Sequence, residues 1–271
     1  MKKIVVIGDI HGKSIWKEIV KKESDADTII FIGDYLDSYE YNAETMANNF
    51  NDIEAFKVNA PIDQEVVLLV GNHDLSYICS ICKCSGYDVG LNDLIGAKIT
   101  ELFRSGFIKT FHREGKIIFS HAGITKKWLS NMVEYLNIPR KDIFGQLNYI
   151  NEIVKGAPSL LGYLQKDLSG YGNHVEQSPL WIRPKEFISN CLEGVDQVVG
   201  HTKHPRIIID NVNSTKDNLI FIDVLDYINE YLVIEFSEDG FNYKYSVKEL
   251  DIITEEFNKL QLKDELDSMK T

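Results

Sequence analysis

Side chains that suit divalent metal ions recur directly after short apolar runs. The runs are KKIVVIGDIHG, TIIFIGDYLDS, EVVLLVGNHD, KIIFSHAG and QVVGHT, and each ends in Gly or Ser followed by Asp, Asn or His. Hard divalent cations take carboxylate and amide oxygens, whereas borderline transition ions also accept imidazole nitrogen. The side chains that supply this mixture are Asp9, His11, Asp34, Asn72, His121 and His201. The pattern therefore predicts one mixed oxygen and nitrogen metal site.

The apolar runs are typical of strands buried on both faces, as in a sheet covered by helices. Ligands of such sheets bind at the carboxyl ends of the strands, which is where the polar residues stand. Between the first two runs, SIWKEIVKKE places Ile15, Trp16, Ile19 and Val20 on one helical stripe. A helix between two strands gives a βαβ unit, so we expect a sheet that is at least partly parallel.

The rest of the chain predicts further helices and a second sheet. Helices are expected over 43–60, 91–105 and 128–165, the last interrupted near Pro139 and Pro158. A helical insertion at about 125–180 would form a cap beside the site. After Arg206 the runs RIIIDNV, NLIFIDVL, YLVIEFS and FNYKYSV predict an antiparallel second sheet. We treat residues 1–271 as a single domain with a helical tail at about 248–271.

Composition excludes several classes of protein. The 271 residues are 44% hydrophobic and 26% charged, which is ordinary for a globular protein. A net charge of −12 argues against extended nucleic-acid binding. We find no signal-peptide core and no apolar run long enough for a membrane, so we expect a cytoplasmic location. The motif CSICKC lacks a closed four-ligand set, which favours small reduced thiols over a zinc site.

The motifs GDIHG, GDYLD, GNHD, the SHAG histidine and GHT, in this order and spacing, resemble the calcineurin-like metallophosphoesterases. The nearest match is the bacterial branch of the phosphoprotein-phosphatase superfamily, which includes diadenosine tetraphosphate hydrolases. The motifs span Gly8 to Thr202. The resemblance implies an α/β fold, a four-layer α-β-β-α sandwich of two mixed sheets with a helical cap insertion.

The resemblance also implies two divalent metal ions and a role for each motif residue. Asp9 and His11 would bind the first ion, Asp34 would bridge both, and Asn72, His121 and His201 would complete the second. Manganese is the expected metal, with Fe, Zn or Ni as alternatives, because the mixed ligands suit each of them. Two such metal ions, about 3.5–4 Å apart, lower the pKa of a water that they share, so that a bridging hydroxide attacks phosphorus.

His73 would protonate the leaving oxygen as general acid, and Asp37 would fix its tautomer and raise its pKa. For Asp34 and Asp37 the structural alternative is a turn in which Asp caps backbone amides. Arg183, in SPLWIRP, resembles the family's phosphate-binding arginine and would bind substrate together with Asn72. An ordinary surface Arg beside Pro184 is the alternative.

Two positions depart from the protein phosphatases. These enzymes carry Arg after the second Asp, where this chain has Ser38, and a hydroxyl cannot hold phosphate as a guanidinium does. They also have Glu where this chain has Asp74.

We expect a phosphatase that acts on phosphomonoesters, with phosphoserine or phosphothreonine in proteins as candidate substrates. Hydrolysis of dinucleoside polyphosphates or other nucleotides is the alternative, and a binding module without catalysis is a third hypothesis. The expected partner is therefore a phosphoprotein or a small phosphoester or nucleotide, and we expect no binding to a membrane. Aromatic side chains facing the metals, such as Tyr163, Tyr171 or Trp181, would favour a nucleotide base, whereas an open groove would favour a peptide.

Overall fold

The structure is a computed structural model that describes residues 1–79, 83–139, 141–162, 172–212, 217–238, 240 and 242–250. The strands are β1 (Lys3–Ile7), β2 (Thr28–Phe31), β3 (Glu65–Leu69), β4 (Ile108–Lys109), β5 (Phe111–Glu114), β6 (Ile117–Ser120), β7 (Asp196–Val199), β8 (Ile208–Val212), β9 (Asp217–Phe221), β10 (Glu230–Phe236) and β11 (Tyr243–Glu249). The helices are α1 (Trp16–Lys22), α2 (Ala43–Val58), α3 (Asn72–Ile78), α4 (Val89–Leu91), α5 (Ala97–Arg104), α6 (Lys126–Tyr135), α7 (Ile143–Gly156) and α8 (Pro184–Ser189). A π-helical turn, Asn92–Gly96, joins α4 to α5, and a 3₁₀ turn, Pro158–Leu161, follows α7.

The strands form two mixed sheets. The first has the order β11-β10-β1-β2-β3-β4 and the second the order β5-β6-β7-β9-β8. Strands β1 to β4 run parallel to one another, as do β6, β7 and β9. The carboxyl ends of parallel strands lie at one edge of a sheet, so the first sheet brings three motif-bearing ends to such an edge and the second sheet brings two.

Successive side chains along each strand point to opposite faces of the sheet, which divides the core into layers. Ile4 and Val6 of β1 pack between the sheets with residues such as Phe119 and Val198 of the second sheet. Val5 and Ile7 face the other way, into the cluster that holds the helices covering the first sheet. A third cluster joins α8 to the outer face of the second sheet. The period of two along a strand thus gives each sheet two buried faces, and the four-layer α-β-β-α sandwich is confirmed.

The expectation that the last four strands form a separate antiparallel sheet is wrong. Strand β10 pairs antiparallel with β1, and β11 with β10, so both extend the first sheet. Strands β8 and β9 join the second sheet, where β9 runs parallel to β7. The physical reason is burial: all but one residue of β10 is buried, which requires a position inside a sheet with a neighbour on each side.

The predicted helical insertion at about 125–180 contains α6, α7 and the 3₁₀ turn, and residues 163–171 lie outside the described residues. Its role as a cap stays a prediction. The predicted tail at about 248–271 overlaps β11 in its first two residues, and residues 251–271 lie outside the described residues. Within the described ranges, no helix combines the length and the apolarity that a membrane crossing requires.

Candidate active site

The predicted metal-binding side chains follow the ends of five strands. Asp9 and His11 follow β1, Asp34 follows β2, and Asn72 begins α3 directly after β3. His121 and His201 come after β6 and β7 of the second sheet. Because these ends meet where the two sheets face each other, the chain brings residues almost 200 positions apart into direct contact, as the hydrogen bond from the His201 amide to Asp9 demonstrates.

The backbone at these ends is unusual. His11, Asp34, Asp37 and His201 have φ angles of 44°, 49°, 62° and 67°, in the left-handed region that side chains other than Gly seldom adopt. Gly71 permits a close approach, since a Cβ there would lie 2.0 Å from Oδ1 of Asp34. Such strain persists only where the surroundings over-determine it, and it concentrates at functional sites.

Two groups of potential metal ligands share one carboxylate. One contains His11, Asp34 and His73, and the other contains Asp34, His121 and His201. In each group the candidate ligand atoms lie within 4.8 Å of one another. Asp34 therefore stands where a bridging carboxylate between two cations would stand.

The second group converges on the amide of Asn72. Its Oδ1 lies 2.8 Å from Nε2 of His121 and 2.9 Å from Nδ1 of His201. Nδ1 of His121 donates to the carbonyl of Ile32 over 3.2 Å, which leaves Nε2 of the neutral ring as an acceptor. Two acceptors face each other here, and Nε2 also lies 3.3 Å from Asp34 Oδ2. A cation among these atoms would relieve this repulsion, so the donor set fits a metal ion.

His11 is oriented in the same way. Its Nδ1 donates to the carbonyls of Leu36 and Asp37 over 3.0 and 2.7 Å, and its Nε2 lies 3.7 Å from Asp34 Oδ2. Burial lowers the pKa of His11 and of His201, which favours the neutral imidazole that binds metals.

Four buried carboxylates, those of Asp9, Asp34, Asp74 and Asp223, crowd the centre. Burial, and then the charge of Asp34, raise the pKa of Asp74 to about 7 and that of Asp223 to about 6. Burial also raises the pKa of Asp34, but interactions with the neighbouring imidazoles, His121 first and then His73, outweigh it and hold that pKa well below its usual range. Like charges this close raise one another's pKa, and bound cations would offset the same repulsion.

Asp9 differs from the other predicted ligands. Both of its carboxylate oxygens accept from the backbone N–H of His201, over 3.2 and 3.0 Å, and Gly200 makes room for them. Burial and the charges of Asp223 and Asp34 raise the pKa of Asp9 well above its ordinary value. Among the described residues, Asp9 belongs to neither ligand group, so its place in the metal site stays a prediction.

His73 and Asp37 form a pair. Nδ1 of His73 donates to Oδ2 of Asp37 over 2.8 Å, and the hydroxyl of Tyr77 donates to Oδ1 of the same carboxylate. Burial lowers the pKa of His73, but the charge of Asp34 and the hydrogen bond and charge of Asp37 outweigh burial and raise it to about 9. The arrangement is that of an imidazole kept protonated by a buried carboxylate.

A cavity of about 680 Å³ opens onto these groups. His11, Asp34, Asn72, His73 and His201 line it on the metal side. The other lining residues are Lys13, Asp37, Ser38, Tyr39, Glu40, Lys83, Cys84, Ser85, Gly86, Trp181, Arg183, Thr202, Lys203, Asp223 and Asp226.

Arg183 reaches this cavity, where its Nη1 donates to Oγ1 of Thr202 over 3.1 Å. Arg183 is the N-cap residue of α8. Because α8 packs on the second sheet, the helix fixes the backbone of Arg183. Trp181 also lines the cavity, with its ring 6.4 Å from that of His201 in a T-shaped arrangement. Tyr163 and Tyr171 lie outside the described residues.

Sequence reasoning missed the roles of several residues in and around the cavity. Asp223 follows β9 as the other acids follow their strands, so the run NLIFID carried the signal. Asp74, at the position where protein phosphatases have Glu, accepts through its carboxylate from the amides of Gly71, Asp34 and Tyr35 over 2.8 to 2.9 Å. No sequence signal marks Tyr77 as a partner of Asp37.

The family model of the calcineurin-like phosphoesterases matches residues 2–202 of this chain. None of the curated proteins compared with the chain matches it.

Several solved structures are similar. A metallophosphoesterase from Sphaerobacter thermophilus shares 16% identity over 93% of this chain and 90% of that one, with a TM-score of 0.41. A dimetal phosphatase from Danio rerio shares 9% identity over 92% and 96% of the two chains, with a TM-score of 0.41. An archaeal phosphodiesterase shares 13% identity over 91% and 99%, with a TM-score of 0.33.

The family match covers most of the chain and coincides with the strand ends that carry the ligand groups. Members of this family depend on a dinuclear metal site, and the groups around Asp34 are candidates for it. The chain belongs to the calcineurin-like phosphoesterase family and is a hydrolase that acts on phosphoester bonds.

Proposed function

We propose that this protein is a dinuclear metal-dependent phosphatase of phosphomonoesters, with phosphoserine or phosphothreonine in proteins among its candidate substrates. The observation that carries the proposal is the pairing of His73 with Asp37 beside two ligand groups that share Asp34. Hydrolysis of an ester with a poor leaving group needs an activated water and a proton for the leaving oxygen, which a dinuclear centre and a general acid beside it would supply.

In this proposal Asp9, His11, Asp34, Asn72, His121 and His201 hold the ions, and manganese is the metal we expect, with Fe, Zn or Ni as alternatives. When bound, two such ions supply an activated water and stabilise the charge of the transferring phosphoryl group. Asp34 would lie between the ions, since it is common to both ligand groups.

The chain itself supplies the proton and the grip on the substrate. His73 donates its Nε2 proton to the leaving oxygen, while Asp37 holds Nδ1 and so keeps Nε2 directed away from the carboxylate. Arg183, fixed by Thr202 on the cavity wall, binds a phosphate oxygen together with the Asn72 side chain. Ser38 lines the same cavity, so one guanidinium serves where protein phosphatases have two.

A third hypothesis, a binding module without catalysis, predicts that some of the metal-binding residues have been replaced. All six predicted ligands and His73 are present, and five of these seven line one cavity. The set favours an enzyme.

The second candidate function is hydrolysis of dinucleoside polyphosphates or other nucleotides, and a pair of lysines in the cavity favours it. Lys13 and Lys203 both form ion pairs with Asp226, and all three residues line the cavity. Two ammonium groups share one carboxylate, which leaves a net positive charge and spare N–H donors for a second phosphate. A volume of about 680 Å³ is within the range of pockets that hold drug-sized ligands.

Activity with added Mn²⁺ separates the candidates. We expect turnover of a phosphoserine or phosphothreonine peptide and of p-nitrophenyl phosphate, and loss of both in Asp34→Asn, because the shared carboxylate would be gone. Greater kcat/KM for diadenosine tetraphosphate, reduced by Lys203→Ala but unchanged for the peptide, would favour the second candidate. No turnover of any of these esters in the metal-loaded protein would refute both.

Anomalous scattering from crystals grown with Mn²⁺ tests the metal site. We expect two ions bridged by Asp34. A single ion bound to one side of Asp34 would contradict the dinuclear centre.

A further inference from the structure

The thiol of Cys84 touches Asn72 twice. Nδ2 of the Asn72 side chain donates to the Cys84 sulfur over 3.2 Å, and the sulfur's own S–H donates to the backbone carbonyl of Asn72 over 3.2 Å. Cys84 belongs to the CSICKC motif, for which the proposed reaction has no use. It also lines the cavity, so its contact with Asn72 lies beside the metal-binding groups.

An asparagine amide needs such a partner, because its two ends have nearly the same shape but opposite hydrogen-bonding character. To bind a cation, Asn72 must direct Oδ1 toward His121 and His201, as it does here. Turned by half a rotation, it would present an NH₂ group that donates to the two imidazoles and repels a cation. The metal-free imidazoles would accept those bonds readily, so they do not select the correct orientation.

The Cys84 thiol does select it. Because its only hydrogen is directed at the Asn72 carbonyl, the sulfur presents lone pairs to the side chain and accepts only from N–H. Nδ2 is therefore held toward the sulfur, and Oδ1 faces the histidines.

The segment that carries Cys84 is anchored to the same helix. The backbone N–H of Cys84 donates to Oγ of Ser76 over 3.0 Å. Farther along, the N–H of Asp88 donates to the Tyr77 hydroxyl over 3.0 Å, and the Tyr77 and Tyr87 rings stack at 4.9 Å. The sulfur is thus placed by contacts on α3 itself, the helix that Asn72 begins.

Other uses of this thiol have less support. Cys79, Cys84 and Cys191 are free thiols, and Cys82 lies outside the described residues. In the part of the chain that the structure describes, no cysteine joins a group of three potential metal ligands.

We infer that Cys84 is a positioning residue, whose thiol sets the orientation of the Asn72 amide and thereby presents its oxygen to the metal ions. The inference rests on the proposed role of Asn72 as a ligand. Removing a partner that orients a metal ligand typically lowers metal affinity by about 10- to 100-fold.

Calorimetric titration of the metal-free full-length protein with Mn²⁺ measures this directly. We expect Cys84→Ala to weaken Mn²⁺ binding by about 10- to 100-fold, and Cys84→Ser to restore most of the affinity, since a hydroxyl also donates and accepts. Cys79→Ala, a change in the same segment, is the matched control and should bind as the wild type does. Excess Mn²⁺ should restore phosphatase activity in Cys84→Ala.

A second background tests orientation itself. In Asn72→Asp the two side-chain oxygens are equivalent, so no partner is needed to choose between them. Adding Cys84→Ala there should leave Mn²⁺ affinity unchanged, which gives a non-additive double-mutant cycle. Thermal unfolding of the metal-free variants identifies any that fail to fold.

Equal weakening by Cys84→Ala in both backgrounds would overturn the inference, because the thiol would then act through packing. Undiminished Mn²⁺ affinity in Cys84→Ala itself would overturn it as well. The wild-type titration tests the proposed function separately: tight Mn²⁺ binding without phosphoester turnover would refute the function and leave the inference standing.

Discussion

Replacing Asp37 by Asn tests how the proposed general acid is held. The Asp37 carboxylate is buried and receives two donors, Nδ1–H of His73 over 2.8 Å and the hydroxyl of Tyr77. A carboxylate accepts at both oxygens, whereas an amide offers one acceptor and one donor. In Asp37→Asn the charged acceptor is therefore lost, and either His73 or Tyr77 meets an N–H group instead of an oxygen.

The magnitude follows from these contacts. A hydrogen bond to a charged group is worth about 1.5–3 kcal/mol. Since 1.4 kcal/mol is a factor of ten, kcat for a substrate with a poor leaving group should fall by roughly 10- to 150-fold. His73→Asn removes the acid itself and should cost roughly 10²–10⁴. Tyr77→Phe keeps the contact between His73 and Asp37 and should cost about tenfold or less.

The assay compares two leaving groups. An alkyl phosphate needs a proton on its departing oxygen, whereas p-nitrophenolate leaves without one. On the alkyl ester we expect the losses to rank His73→Asn, then Asp37→Asn, then Tyr77→Phe. On p-nitrophenyl phosphate all three losses should be small. Bound metal is measured in each variant, so that loss of ions is not mistaken for loss of the acid.

Equal losses on both esters would refute the acid role. His73 lies in one ligand group with His11 and Asp34, and its ring is 5.1 Å from that of His11. Loss of metal from His73→Asn together with equal kinetic losses would assign His73 to the metal site instead.

Three further predictions concern other parts of the molecule. Arg183→Ala should lower kcat/KM by roughly 10- to 150-fold for every phosphoester, because it removes a charged hydrogen bond to phosphate, and unchanged kinetics would place the phosphate clamp elsewhere. Burial raises the pKa of Glu23, but hydrogen bonds from Lys3 and two other side chains outweigh it and lower that pKa from 4.5 to about 2. The ionised group's stabilisation, about 3 kcal/mol, is therefore present above pH 4.5 and lost as the pH falls toward 2, and denaturant unfolding should show this loss in the wild type but not in Glu23→Gln. His201 has a φ of 67°, which Gly adopts without strain, so the free energy of unfolding of His201→Gly should be about 1 kcal/mol higher than that of His201→Ala. At Asn72, which lies in a helix, Asn72→Ala should instead be more stable than Asn72→Gly.

The positions of the site residues could be predicted because local pattern determines them. A buried strand that runs into Gly or Ser and then Asp, Asn or His places that side chain at the carboxyl edge, and β1, β2, β3, β6 and β7 all do so. The helical stripe of α1 likewise predicted the parallel pairing of β1 with β2. These features depend on residues near one another in the chain.

Pairing between distant strands could not be predicted in this way. The sequence YLVIEF predicts a strand, but the same apolar residues would suit either sheet. Only the open edge of β1 decides the matter, where Val5 pairs with Val233. The contact of Tyr77 with Asp37 could not be predicted for the same reason, since the hydroxyl meets the carboxylate only because α3 packs beside the loop after β2.

The left-handed backbone of the site is the feature that local pattern hides most completely. Among the described residues other than Gly, five have positive φ, and four of these are His11, Asp34, Asp37 and His201. Nothing in an Asp or His side chain favours this region strongly enough to predict it, since the conformation costs about 1–2 kcal/mol for each residue. Hydrogen bonds between distant segments impose it, such as that from the His11 amide to the carbonyl of Asp34 over 2.7 Å. The turn it produces redirects each side chain from the sheet edge toward the centre, so the geometry needed for metal binding is held by the packed sheets and not by the residues that use it.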